Sequence, residues 1–126
     1  MSGNETILII DDEEMIRRMV SSILEDYGYK CLTAENGIKA LEIYKDQREN
    51  IDLVLLDMIM PIMSGERVYE ELRKINPQAR VIMSSGFPFE DESDPLQSGV
   101  EAFISKPYQE SQLAQVIRQV LERKKQ

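Results

Sequence analysis

Short apolar runs that alternate with helix-period stretches leave this chain few folds to choose from. "TILII" (6–10), "YKCLTA" (29–34), "IDLVLLD" (51–57), "ARVIMSS" (79–85) and "VEAFISK" (100–106) read as five strands. Between the first two, Ile16, Val20, Ile23 and Leu24 fall at i, i+4, i+7 and i+8, and Gly28 is a C-terminal cap. Ile38, Leu41 and Tyr44 mark the buried stripe of a second helix. "MSGERVYEELRKI" (63–75) predicts a third, with Ser64 as N-cap and Val68, Leu72 and Ile75 facing inward. Leu113, Val116, Ile117, Val120 and Leu121 mark the last. The stretch "GFPFEDESDPLQSG" (86–99), with two prolines and weak periodicity, predicts a short or irregular fourth helix. Hairpin signals are absent and helices link the strands. The pattern therefore predicts an α/β fold: a doubly wound parallel sheet with helices on both faces.

The strands share a second property, which is that they end in polar groups. Asp11 and Asp12 follow the first strand, Asp57 ends the third, Ser84 and Ser85 the fourth, and Lys106 the fifth. In an open parallel sheet the carboxyl ends of the strands form the ligand-binding edge. Each group also has a plain structural reading. Asp11 and Glu14 fit a capping box, Ser84-Ser85-Gly86 fits a turn, Lys106-Pro107 fits a helix approach, and Asp57 fits a strand end that reaches water. Taken singly, these readings do not explain why all the groups fall on one edge.

Composition narrows the chemistry. The chain has 126 residues, as expected for one domain, here taken as 1–126 with a core of about 6–123. Its net charge of −8 argues against nucleic acid or anionic lipid as partners. With no histidine and one cysteine, Cys31, a zinc site or a histidine-based triad is excluded, and a reducing cytoplasm is expected. "MSGNETILIIDDEE" turns acidic too early for a signal peptide, and no apolar run approaches the length of a membrane span.

Three carboxylates beside one lysine repel each other unless a hard cation joins them, and Mg²⁺ suits carboxylates, a carbonyl and waters. Such a site can receive a phosphoryl group, which needs positioning and charge neutralisation more than covalent chemistry. Asp57 is then the candidate nucleophile, because Asp11 and Asp12 lie side by side like a metal-holding pair.

"ILIIDDEE", "IDLVLLDMIMPIMSG", "VIMSSG" and "FISKPY", in that order, resemble the receiver domains of bacterial two-component response regulators, and the likeness covers nearly the whole chain. The resemblance implies a flavodoxin-like three-layer sandwich: five parallel strands in the order 2-1-3-4-5 and five helices. It implies that Asp57 accepts a phosphoryl group from a histidine kinase or histidine phosphotransfer protein. Asp11, Asp12, Asp57 and the Ile59 carbonyl would hold Mg²⁺. Lys106 and Ser84 would contact the phosphoryl group. Ser84, Phe103 and the cis-prolyl position Pro107 would form the switch. Partners would dock on the face of the fourth helix, fifth strand and last helix.

The sequence departs from the family pattern at Ile59 and Gly86, where relatives place polar groups that align the hydrolytic water; slow self-dephosphorylation is expected. "SSGF" is similar to receivers attached to hybrid sensor kinases, and the chain runs out at "ERKKQ", which fits a stand-alone receiver or a piece of a longer protein. Two alternatives stay open. One is a Mg²⁺-dependent phosphohydrolase with an aspartyl nucleophile, whose Asp-x-Asp pattern "DDEE" does not supply. The other is a receiver-like binding module that is never phosphorylated.

Overall fold

The structure, a computed structural model, describes residues 4–86 and 100–123. In chain order the elements are β1 (Thr6–Ile10), α1 (Glu14–Asp26), β2 (Lys30–Ala34), α2 (Gly37–Gln47), β3 (Leu53–Asp57), α3 (Gly65–Ile75), β4 (Val81–Ser85), β5 (Ala102–Ser105) and α4 (Glu110–Glu122). All neighbouring strands pair parallel, in the order β2-β1-β3-β4-β5. Among the described residues there are four helices, not five. The fourth helix expected over 86–99 lies outside the described residues, apart from Gly86.

Two-sided burial explains why the strands read as unbroken apolar runs. Successive side chains point to opposite faces, so covering both faces requires apolar residues at every position. Leu8, Ile10, Val54, Leu56, Val81 and Met83 pack with Ala40, Tyr44, Val68 and Leu72 of α2 and α3. Ile7, Ile9, Leu53, Leu55, Ile82 and Ile104 pack with Val20, Leu24, Leu113, Ile117 and Val120 of α1 and α4.

Helix ends follow local chemistry. Ser64 Oγ accepts from the Arg67 amide and Asn36 Oδ1 from the Lys39 amide, each satisfying an otherwise unpaired N–H in a first turn. Gly28, at φ 94°, takes the left-handed position past α1, and its amide donates to the Glu25 carbonyl. The last carbonyls of α4 are capped from elsewhere in the chain: Arg80 donates to Val120 O at 2.7 Å and to Leu121 O at 3.1 Å.

Two local expectations are corrected. Ile38 does not belong to the buried stripe of α2 but is 51% exposed. The inward positions are Gly37, Ala40 and Tyr44, because α2 lies close against α3; a Cβ on Gly37 would meet Val68 Cγ2 at 2.6 Å. The capping box at α1 does not form, since its N-cap is Glu13, whose side chain makes no capping bond.

The close approach at Gly65 bears on the site. Its amide donates to the Met58 carbonyl, and a Cβ there would lie 2.4 Å from the Asp57 carbonyl oxygen and 2.7 Å from Met58 Cα. Backbone atoms cannot rotate out of the way. Gly65→Ala is therefore expected to cost about 2–3 kcal/mol in urea unfolding. A loss near zero would contradict this packing.

Candidate functional site

The period of two that builds the core also builds the site. Asp11, Asp57, Ser84 and Lys106 each stand two residues beyond an apolar residue of the α1–α4 face, namely Ile9, Leu55, Ile82 and Ile104. Continued alternation carries all four to that side of the sheet, at the carboxyl edge. Register aligns them across the edge, with Asp57 opposite Ser84 and Ser84 opposite Ile104. Asp11 and Asp57 flank the β1–β3 junction, where the strand order reverses.

Asp11, Asp12 and Asp57 form one acidic cluster, with a carboxylate oxygen from each lying within 4.8 Å of the others. Asp11 and Asp57 are buried and Asp12 is exposed. Lys106 Nζ bridges the buried pair, 2.6 Å from Asp11 Oδ2 and 3.3 Å from Asp57 Oδ2. Asp11 Oδ1 accepts from the Glu13 amide at 2.9 Å, so this carboxylate shapes the turn into α1 in place of the capping box. The Arg17 guanidinium donates to the Asp11 carbonyl at 2.7 Å. The Ile59 amide donates to Asp57 Oδ1 over a long 3.4 Å.

Charge at this edge is under-compensated. Burial, together with the Asp11 charge, pushes the Asp57 carboxyl up to about 6, although Lys106 and the Ile59 amide pull the other way. Lys106 shows the converse. Burial opposes its charge, but its hydrogen bond to Asp11 and the charges of Asp11 and Asp57 hold its ammonium above the usual lysine range.

Ser84 is 1% exposed, and its hydroxyl pairs at 2.7 Å with that of Tyr108. Burial pushes the Tyr108 phenol up to about 12. Phe103 sits opposite Met83 and packs half-buried on the α2–α3 side, the face away from Ser84. The Lys106–Pro107 peptide bond is cis. Past Asp57 the chain makes a tight turn in which the Met63 amide donates to the Pro61 carbonyl at 2.7 Å, and Ile62 adopts a φ of 74°. A β-branched residue there is strained, and the strain sits in the loop leaving the site.

The edge thus brings together Asp11, Asp12, Asp57, Lys106 and Ser84, with the Ile59 amide at its rim, and leaves Phe103 on the other face. Three contributors were not singled out from the sequence: Tyr108, Arg17 and the Glu13 amide. Only Tyr108 had a readable signal, a hydroxyl-bearing ring two residues past Lys106 in "SKPY" and so in phase with the edge.

A doubly wound sheet with a lysine-bridged acid cluster at its switch point defines a class as well as a site. A family model described as the response regulator receiver domain matches residues 7–118. The chain belongs to that family of two-component signalling domains. It is 38% identical to the chemotaxis protein CheY of Bacillus subtilis, over 91% of this chain and 96% of that protein. It is 32% identical to the sensor kinase CckA of Brucella abortus, over 98% of this chain but 13% of that protein. Against the probable transcriptional regulator ycf27 of Porphyridium aerugineum it spans 49% of the relative's length. Among solved structures, the response regulator protein TrrA of Thermotoga maritima in complex with Mg²⁺-BeF superposes with a TM-score of 0.83 at 32% identity, covering 92% of this chain and 98% of that one. Among the described residues no helix is long and apolar enough to cross a membrane.

The raised Asp57 carboxyl has a consequence for stability. The group titrates near 3.8 when unfolded and near 6 when folded, so it binds its proton more tightly in the folded chain. Below about pH 4 both states are protonated and nothing is lost. As pH rises through 6 the folded state comes to carry an unfavourable charge, so stability falls. In metal-free buffer Asp57→Asn is expected to be more stable than wild type at pH 7.5, by on the order of 2–3 kcal/mol. The advantage should shrink toward zero as pH drops below 4. A pH-independent difference in urea midpoints would contradict the burial argument.

Proposed function

We propose that this chain is a phosphorylation-dependent signalling switch whose phosphoacceptor is Asp57. One observation carries the reading: a buried carboxylate, raised by burial and by Asp11, stands within reach of Lys106 and of two further carboxylates. The acidic cluster fits a divalent cation, because its own lysine leaves the carboxylates under-neutralised. Asp11, Asp12, Asp57 and the Ile59 carbonyl would hold Mg²⁺, which when bound neutralises charge beside Asp57.

Within that reading the chain's own groups have distinct tasks. An Asp57 carboxylate oxygen attacks the phosphorus of a phosphohistidine on a histidine kinase or phosphotransfer protein. The new O–P bond forms as the P–N bond breaks, and the leaving imidazole takes the electron pair. Lys106, which keeps its charge between Asp11 and Asp57, meets the negative oxygens of the incoming group. Ser84, in register with Asp57, supplies a hydroxyl donor. The product carries roughly −1.5 to −2 charge at a buried edge, enough to bias a two-state element. Phe103, half-buried on β5, and Pro107, at the cis bond after Lys106, belong to that element.

The switch is read as a single domain with a core of about 6–123, working in the cytoplasm. It would deliver its state to a protein partner or an attached domain, not to nucleic acid or membrane. The chain spans small or partial shares of some longer relatives and nearly the whole of another. An aspartyl phosphohydrolase is less well supported, since the cluster's isolated carboxylate ends β3 and does not follow β1.

Incubation with Mg²⁺ and acetyl phosphate should add one phosphoryl group to wild type and none to Asp57→Asn, read by intact mass. An adduct that persists in the Asn variant, or that forms equally with EDTA, would sink the assignment. The lifetime provides a second outcome. Ile59 is 58% exposed and apolar, and Gly86 has no side chain to orient a water. Phosphate release is expected to take many minutes to hours; loss within seconds would contradict this.

A further inference from the structure

The Ser84 oxygen is already held by a hydrogen bond from Tyr108 before any modification of Asp57. Ser84 pairs in register with Asp57, and the two side chains lie on the same face of the sheet. Among the described residues its Oγ nevertheless accepts a hydrogen bond from the Tyr108 hydroxyl, at 2.7 Å. A hydroxyl 1% exposed needs a protein partner, because leaving it unpaired forfeits its hydration.

Tyr108 is built to hold that bond. Its ring packs half-buried with the Ile104 and Leu113 cluster, which fixes where the phenol oxygen can go. The same short loop carries Lys106 to Asp11 and Asp57. The β5–α4 loop is thus pinned to the edge twice, once by the ammonium on the acid cluster and once by Tyr108 on Ser84. The Tyr108 donor holds the Ser84 oxygen in place, and that oxygen changes position by turning about the single Cα–Cβ bond. Turning toward a group carried on Asp57 changes the geometry with Tyr108.

We propose that Tyr108 is a positioning residue that latches Ser84 in the unmodified arrangement and opposes its engagement with a phosphoryl group on Asp57. This inference rests on the phosphoacceptor reading above. A contact made in one state and lost in the other shifts the equilibrium by its full strength. A neutral hydrogen bond of this kind corresponds to a factor of about 3 to 10.

The test is the affinity for beryllofluoride with Mg²⁺, read by ¹⁹F NMR on wild type, Tyr108→Phe, Ser84→Ala and the double variant. Tyr108→Phe keeps the ring and removes the hydroxyl. It should bind about three- to tenfold more tightly than wild type. In the Ser84→Ala background the same change should have no effect, a non-additivity that loosened packing would not produce. Unchanged or weaker binding by Tyr108→Phe overturns the latch. So does equal tightening in both backgrounds, since Tyr108 would then not act through Ser84. If wild type forms no adduct, the phosphoacceptor reading fails together with the latch, and that outcome is distinct from the others. Tyr108→Leu, which also lacks the hydroxyl, should tighten binding in the same direction and stands in if the Phe variant does not fold.

Discussion

The Lys106 ammonium, held between the Asp11 and Asp57 carboxylates, is the contact on which the functional edge depends. It ties β1, β3 and the loop after β5 by their side chains at the carboxyl edge of the sheet. Without a cation there, two buried carboxylates would face each other across the β1–β3 junction, and one would have to bind a proton. With it, the cluster remains negative enough that Asp57 still sits near 6. The edge is therefore left under-neutralised by its own residues.

That imbalance of charge is tolerated because the rest of the sheet is so regular. Both faces of β1, β3 and β4 are buried, and α1 with α4 and α2 with α3 form two separate apolar layers. A rigid sheet holds the ends of its strands in fixed register, so groups far apart in sequence meet without adjusting the backbone. Among the described residues, backbone strain falls in the loop leaving β3, where Ile62 takes a positive φ and Gly65 lets α3 press against the Asp57 backbone. Stability and function thus occupy different parts of the same strands: the apolar body carries the first and the polar tip the second.

Much of this was legible in the residues, for identifiable reasons. The parallel sheet followed from apolar runs spaced by helical periods, and the edge from the polar residue that closes each run. Ile38 misled because its spacing to Leu41 and Tyr44 matched a helical stripe, whereas the close α2–α3 approach favours Gly37 and Ala40 on the inner side. The capping box misled because Asp11 and Glu14 have the right spacing, yet the Asp11 carboxylate was drawn to Lys106 and the Glu13 amide. Tyr108 was overlooked because nothing local distinguishes a tyrosine that packs from one that also holds a distant serine. The fourth helix expected over 86–99 falls outside the described residues beyond Gly86.

The sequence alone determined the class of fold and the identity of the edge residues, since periodicity and strand endings are local properties of a chain. It could not determine which of those residues touch. That Lys106 bridges Asp11 and Asp57, that Asp57 is raised toward 6, and that Ser84 answers to Tyr108 depend on strand order and register. These bring together residues up to 95 positions apart. Electrostatic and hydrogen-bond energies fall off steeply with distance and change with burial, so only the tertiary structure, which sets both, could decide them.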